Sequence, residues 1–166
     1  NSPNWKIKRC LMIKISKLTD YGTVVLAELA SHQHALASAS ELSNLSGINL
    51  PTVSKILKIL NKANLIDSVR GANGGYKLLR KASEISAADV IDAFEGPLSI
   101  TACSSAKQNC KHEPQCLVGP AWQNINASIR SLLEDITILD LQNNNYQHSA
   151  VTKFAGMPIN IETKVQ

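Results

Sequence analysis

The chain has 166 residues, room for one domain and an appendage. Hydrophobic residues make up 44% and aromatics only 4%, enough for a core, and an aliphatic one that suits helices. The net charge of +4 is compatible with DNA without requiring it, no apolar run is long enough to span a membrane, and the first residues carry no apolar signal core. Membrane and export readings are therefore set aside, and a cytoplasmic protein is expected.

Residues 1–11 carry Trp5, Lys6, Lys8, Arg9 and Cys10 without helical or strand pattern, and read as an extension ahead of a natural start at Met12. The first helix is expected to begin at the capping residues Thr19 or Asp20. Tyr21, Val25, Leu26, Leu29 and Ala30 then recur at helical spacing up to Ser31-His32-Gln33-His34. Ser38-Ala39-Ser40-Glu41 fits a capping box that opens a short helix with Leu42 and Leu45, closed by Gly47. Asn49 and Pro51 start a third helix, Pro51 sitting in the first turn where its missing N–H costs nothing. Val53, Ile56, Leu57 and Leu60 form its buried stripe; Thr52, Ser54, Lys55, Lys58 and Lys62 face away.

A hairpin follows, Leu65–Val69 and Tyr76–Leu79, and Gly71, Gly74 and Gly75 at its tip are expected to adopt backbone angles that other residues avoid. Ser86-Ala87-Ala88-Asp89 fits another capping box, opening a helix with Val90, Ile91 and Phe94 that Gly96-Pro97 ends. A polar loop then holds Cys103, Cys110 and Cys116. A long helix is predicted from about Val118 to Leu139, with Leu117, Trp122, Ile125, Ile129, Leu132, Leu133, Ile136 and Leu139 as its apolar stripe. Such a helix needs a partner for that face; its own domain is the plain reading, and a second copy of the chain is the expected one. From Gln142 onward the composition reads as a disordered tail.

The fold class expected is mainly α with a small β-wing: a winged helix-turn-helix domain over residues 12–97, a cysteine loop over 98–117, a dimerisation helix over 118–141 and a tail over 142–166. The second and third helices make the helix-turn-helix, and side chains near the start of its second helix reach base edges. Thr52, Ser54 and Lys55 are the candidates there, Lys55 as a donor to guanine O6 and N7. Lys58 and Lys62 are placed on phosphates, and Arg70 at the wing in a narrow minor groove. Alone, these lysines would read as a solvated face; the wing behind them makes double-stranded operator DNA the expected partner.

The spacing Cys103-x6-Cys110-x5-Cys116 lacks the close pairs of a zinc motif. Clustered cysteines in a reducing compartment are metal ligands or redox groups, and thiolate sulfur suits an iron–sulfur cluster. Three cysteines leave one ligand position for a weaker group that a signal can displace. Zinc held with His112 and a cysteine-only redox switch stay open, and inert loop cysteines are the plain reading. An enzyme is not expected: Gly71-Ala72-Asn73-Gly74-Gly75 lacks the Gly-Lys-Ser/Thr of a phosphate-binding loop, and no nucleophile motif flanks the cysteines.

The order Lys17-Leu18-Thr19-Asp20-Tyr21-Gly22, then Pro51–Leu57, then Val69–Tyr76, then three late cysteines, resembles the Rrf-two family of winged-helix regulators, with its IscR-type and NsrR-type members. The resemblance covers about Met12 to Leu141, and the N-terminal stretch is most similar to regulators of SUF iron–sulfur assembly. It implies a homodimer, a 2Fe–2S or 4Fe–4S cluster on Cys103, Cys110 and Cys116, and transcription controlled by cluster occupancy. Within the same resemblance stand a nitric-oxide- or redox-sensing repressor and a cluster-free thiol or zinc regulator. IscR-type members carry a histidine three residues after the third cysteine, where this chain has Gly119; Asp20 matches a position where some members supply an acidic ligand, ahead of His112 here. IscR-type members can also carry an acidic residue at the position of Ser54, so their mode of site selection is not expected.

Overall fold

A computed structural model describes residues 15–32, 36–71, 73–101 and 116–143. The extension 1–11 with Met12, most of the cysteine loop, and the tail beyond Asn143 lie outside the described residues.

The elements run α1 (Lys17–Ser31), α2 (Ala39–Ser46), α3 (Leu50–Lys62), β1 (Ile66–Val69), β2 (Gly75–Leu78), a 3-10 turn (Ala82–Glu84), α4 (Ala87–Glu95), α5 (Gly119–Asp135) and α6 (Ile138–Leu141). The capping signals explain the starts. Ser38 and Glu41 form a complete capping box on α2, Ser86 and Asp89 one on α4, and Asn49 caps α3 by accepting the Thr52 N–H, with proline in the first turn. Gly47 closes α2 in the left-handed conformation, φ +68°. The start of α1 lies earlier than expected. Ser16, not Thr19 or Asp20, is its cap, accepting the Thr19 N–H, and Thr19 is buried inside the first turn.

The core sits where α1, α2, α3 and the hairpin meet. Val53, Ile56, Leu57 and Leu60 of α3 are all fully buried, beside Val25, Leu26, Leu42, Ile66 and Ile85. Each such side chain contributes about 1.5–3 kcal/mol on burial. β1 and β2 pair antiparallel from Ile66↔Leu78 to Val69↔Gly75, and Ala37 adds an antiparallel bridge to Tyr76.

The wing tip differs from its expected basis. Among Gly71, Gly74 and Gly75 only Gly71 has a positive φ, +124°. The other two are glycines for space: a β-carbon at 74 would lie 2.2 Å from the Val69 carbonyl oxygen, and one at 75 would lie 2.8 Å from that of Ala37.

The long C-terminal helix is broken. α5 ends at Asp135, Ile136 is extended, and Thr137 opens α6 with its own capping box to Asp140. The break lets the backbone pair elsewhere: the Ala87 N–H donates to Ile136 O and the Ile138 N–H to Ile85 O. Ile138, absent from the expected stripe, is fully buried, whereas Leu139 is 51% exposed. Gln142, which the sequence assigns to the tail, donates its side-chain amide to Ala27 O (2.8 Å) and Ser31 Oγ (3.0 Å) at the end of α1.

Candidate nucleic-acid interface and thiol site

α3 is amphipathic by construction, and burial of its apolar stripe fixes which side chains face outward. Lys55, Lys58 and Lys62 are exposed along one side, with Thr52 and Ser54 half-buried near the N-terminus. Arg70 is exposed beside Gly71 in the wing. None of these four basic residues enters an ion pair found among the described residues. The structure thus gathers the N-terminal polar pair, the lysine row and a separate arginine on a ribbon. Lys77, exposed on β2 and paired in register with Asp67, adds a basic residue on the same ribbon that the sequence reading passed over. Its strand alternation was the available signal.

Of the sulfur ligands only Cys116 is described; Cys103, Cys110 and His112 lie outside the described residues. Cys116 is a free thiol, half-buried, just ahead of α5. The α5 N-terminus has no side-chain cap among the described residues. Gly119 is buried in that first turn, and a β-carbon there would meet Cys116 Sγ at 3.7 Å, an ordinary contact. In donor type this thiol fits a cluster.

Asp20 stands elsewhere. It is exposed on the first turn of α1 and lines a cleft of about 590 Å3 with Thr19, Thr23, Val90, Ile91 and Leu133, among others, but not Cys116. Among the described residues no group of three or more His, Cys, Asp or Glu is placed to hold a metal. The start of α1 is itself pinned. Glu95, the last residue of α4, accepts hydrogen bonds from the Ser16 N–H (3.1 Å) and from the Thr19 hydroxyl. The Ser16 side chain first, then the Thr19 hydroxyl and the Ser16 N–H, hold its carboxyl below the ordinary carboxylate pKa.

α5 uses two faces. On one, the Arg130 guanidinium forks onto Asp92 of α4 (2.9 and 3.2 Å) and also reaches Glu134 (2.8 Å); its bonds to Asp92 raise its pKa further. The other exposes Trp122 (40%) and Ile125 (44%), and Leu117 and Val118 lie exposed just before the helix.

A two-helix reader followed by an arginine-bearing ribbon defines a winged helix-turn-helix protein, the class to which DNA-binding regulators of this shape belong. More particularly, the chain belongs to the Rrf2 family, described as iron-dependent transcriptional regulators, whose sequence pattern matches residues 15–144. It is 31% identical over 134 residues to the HTH-type transcriptional regulator IscR of Vibrio atlanticus, covering 80% of this chain and 77% of that one. Among solved structures it is similar to T. potens IscR, with TM-score 0.58, 29% identity, and coverage of 77% of this chain and 85% of that one. It is similar also to CymR, the global cysteine regulator of B. subtilis, with TM-score 0.61, 27% identity, and coverage of 79% and 97%. The chain is therefore a transcriptional regulator of a DNA-binding family and not an enzyme. No helix among the described residues is long and apolar enough to cross a membrane.

Proposed function

We propose that this regulator binds operator DNA as a homodimer and that an iron–sulfur cluster on Cys103, Cys110 and Cys116 controls that binding, with SUF cluster-assembly genes as its targets. Thr52, Ser54 and Lys55 read bases, Lys58 and Lys62 neutralise phosphates, and Arg70 enters the minor groove. The observation that carries the DNA half is the row of exposed lysines, in no ion pair among the described residues, on a helix whose apolar side is fully buried. The cluster half is supported by the thiol spacing, by the free Cys116 at an uncapped helix start, and by the similarity to IscR-named regulators. When bound, the cluster supplies a thiolate-held redox centre that oxygen, nitric oxide or iron loss can dismantle. The chain's own residues hold it through sulfur, and Asp20 is our choice for the fourth ligand, ahead of His112.

The similarity to CymR favours a second reading, in which the same cysteines act as a cluster-free thiol sensor. Protein purified without oxygen separates the two. A brown protein with matched iron and sulfide, whose operator affinity changes on Cys110→Ala, supports the cluster reading. A colourless protein that takes up neither iron nor zinc on reconstitution, yet changes affinity on oxidation, supports the thiol reading. Equal affinity in every state sinks both.

A further inference from the structure

One residue in the turn between α2 and α3 is held from three sides. Ile48 follows Gly47, which leads the chain out of α2 at φ +68°, ψ +9°. The Ile48 side chain is buried in the core of the reader. Its N–H donates to Ser46 Oγ (3.3 Å), and its carbonyl accepts from Ser43 Oγ (2.7 Å). Both hydroxyls belong to α2, so that helix grips both backbone groups of the turn residue.

The two serines act differently. Ser46 donates to Leu42 O one turn back (2.6 Å), the local bond of a helical serine, and its lone pairs also take the Ile48 N–H. Ser43 instead donates forward, across the turn. The carbonyl it reaches lies one residue ahead of the α3 cap, Asn49, whose own carbonyl receives the Thr52 and Val53 N–H groups. The Ser43 hydroxyl thus ties the body of α2 to the peptide from which α3 departs. Thr52, Ser54 and Lys55 stand on the first two turns beyond that peptide.

The two classes of DNA contact respond differently to a small rotation of α3. A hydrogen bond to a base edge tolerates only a narrow range of distance and angle, whereas attraction between a lysine and a phosphate falls with the inverse of distance. A loosened turn therefore loses discrimination before it loses affinity.

We propose that Ser43 is the positioning residue of the reading helix: its bond to Ile48 O sets the angle at which α3 leaves α2, and through that angle the register of Thr52, Ser54 and Lys55 on base edges. Ser43 is half-buried and supplies no charge of its own. This inference rests on the proposed base reading by the start of α3, and holds whatever occupies the cysteines.

The test uses the full chain purified without oxygen, as parent, Ser43→Ala and Ser43→Thr. The probes are a duplex that the parent selects from a random-sequence pool and a scrambled duplex of the same composition. Amide exchange at Ile48, the affinity for each duplex and its salt dependence are read. In Ser43→Ala the Ile48 amide exchanges about tenfold faster, while the Leu57 and Leu60 amides keep their rates. The ratio of selected to scrambled affinity falls about tenfold, roughly the worth of one base contact. Affinity for the scrambled duplex stays within about twofold and its salt slope is unchanged, because the lysines still meet phosphates. Ser43→Thr keeps the hydroxyl and restores both exchange rate and ratio. A merely structural serine would lower the denaturation midpoint and weaken both duplexes together, leaving the ratio intact; that result overturns the inference. So does an Ile48 exchange rate that Ser43→Ala leaves unaltered, or a threonine variant that matches the alanine one. If the parent itself does not discriminate between the duplexes, base reading has failed and the inference falls with it, a failure distinguishable because it needs no variant.

Discussion

α3 and α5 are both amphipathic helices, and they finish in opposite conditions. Every residue of the α3 stripe is fully buried within its own domain, whereas the only buried residue of α5 is Gly119. Trp122 and Ile125 stay open to solvent on α5, as do Leu117 and Val118 at its foot. A helix whose apolar face is satisfied at home can devote its polar face to DNA. A helix whose apolar face is left partly open has surface to offer a partner. The reader is thus packed within one chain, and the arm keeps apolar surface open for the homodimer proposed above.

The largest effect expected from breaking this contrast is on stability. Leu57→Ala removes a fully buried side chain from the reader and should cost about 2–5 kcal/mol, read as a lower denaturation midpoint. The double substitution Trp122→Ser with Ile125→Ser should leave that midpoint almost unchanged at protein concentrations where the parent is monomeric. It should instead weaken self-association more than tenfold, since each such side chain is worth roughly 1.5–3 kcal/mol when covered. Sedimentation across a concentration series reads it. A large drop in the monomer's own stability would mean that α5 packs at home after all.

Third in size is the polar face of α3. Lys55→Ala should cost about 1–3 kcal/mol of preference for the operator over a scrambled duplex. Lys58→Ala should weaken both duplexes alike and lower the salt dependence of binding. Neither should move the denaturation midpoint by more than roughly 0.5 kcal/mol, because both lysines are exposed. If Lys55→Ala weakens both duplexes equally, it belongs with the phosphate contacts.

The same contrast governs how much could be read from the sequence. In the reader, periodicity, capping boxes and glycines coincide, so the stripe of α3, the box at Ser38–Glu41 and the stop at Gly47 were legible to the residue. In the arm they conflict. Ile136 and Leu139 continue the helical spacing, but Thr137 with Asp140 is also a capping box, and burial of Ile138 against Ile85 decides the matter. Periodicity cannot see that contact, which joins residues far apart in the chain. Ser16 was passed over as a cap for the same kind of reason: Thr19 is burial-driven, and its hydroxyl is claimed by Glu95. The Arg130–Asp92 fork left no local trace at all, since its partners stand 38 positions apart.

The smallest expected effect sits at the seam between the two regions. Glu95 ends α4 just before Gly96 and accepts from Ser16 N–H and the Thr19 hydroxyl, and the Ser16 side chain, then Thr19 and the Ser16 N–H, lower its pKa below the usual 4.5. A folded pKa lower than the unfolded one adds stability that is present above the unfolded value and lost as pH falls through the folded value. Glu95→Gln keeps an acceptor oxygen but no charge, so the variant should be slightly less stable than the parent near neutrality, and the gap should close on acidification below about 4.5. Glu41, lowered by its bond to the Ser38 backbone, titrates in the same window in both proteins and cancels from the difference. Denaturant midpoints measured from pH 7 to pH 3 read it. A gap that stays constant across that range would show that the charge contributes nothing and that packing alone joins α1 to α4. A gap that closes would show that an ionic contact holds the start of α1, where Asp20 stands, to the helix that leads into the cysteine arm.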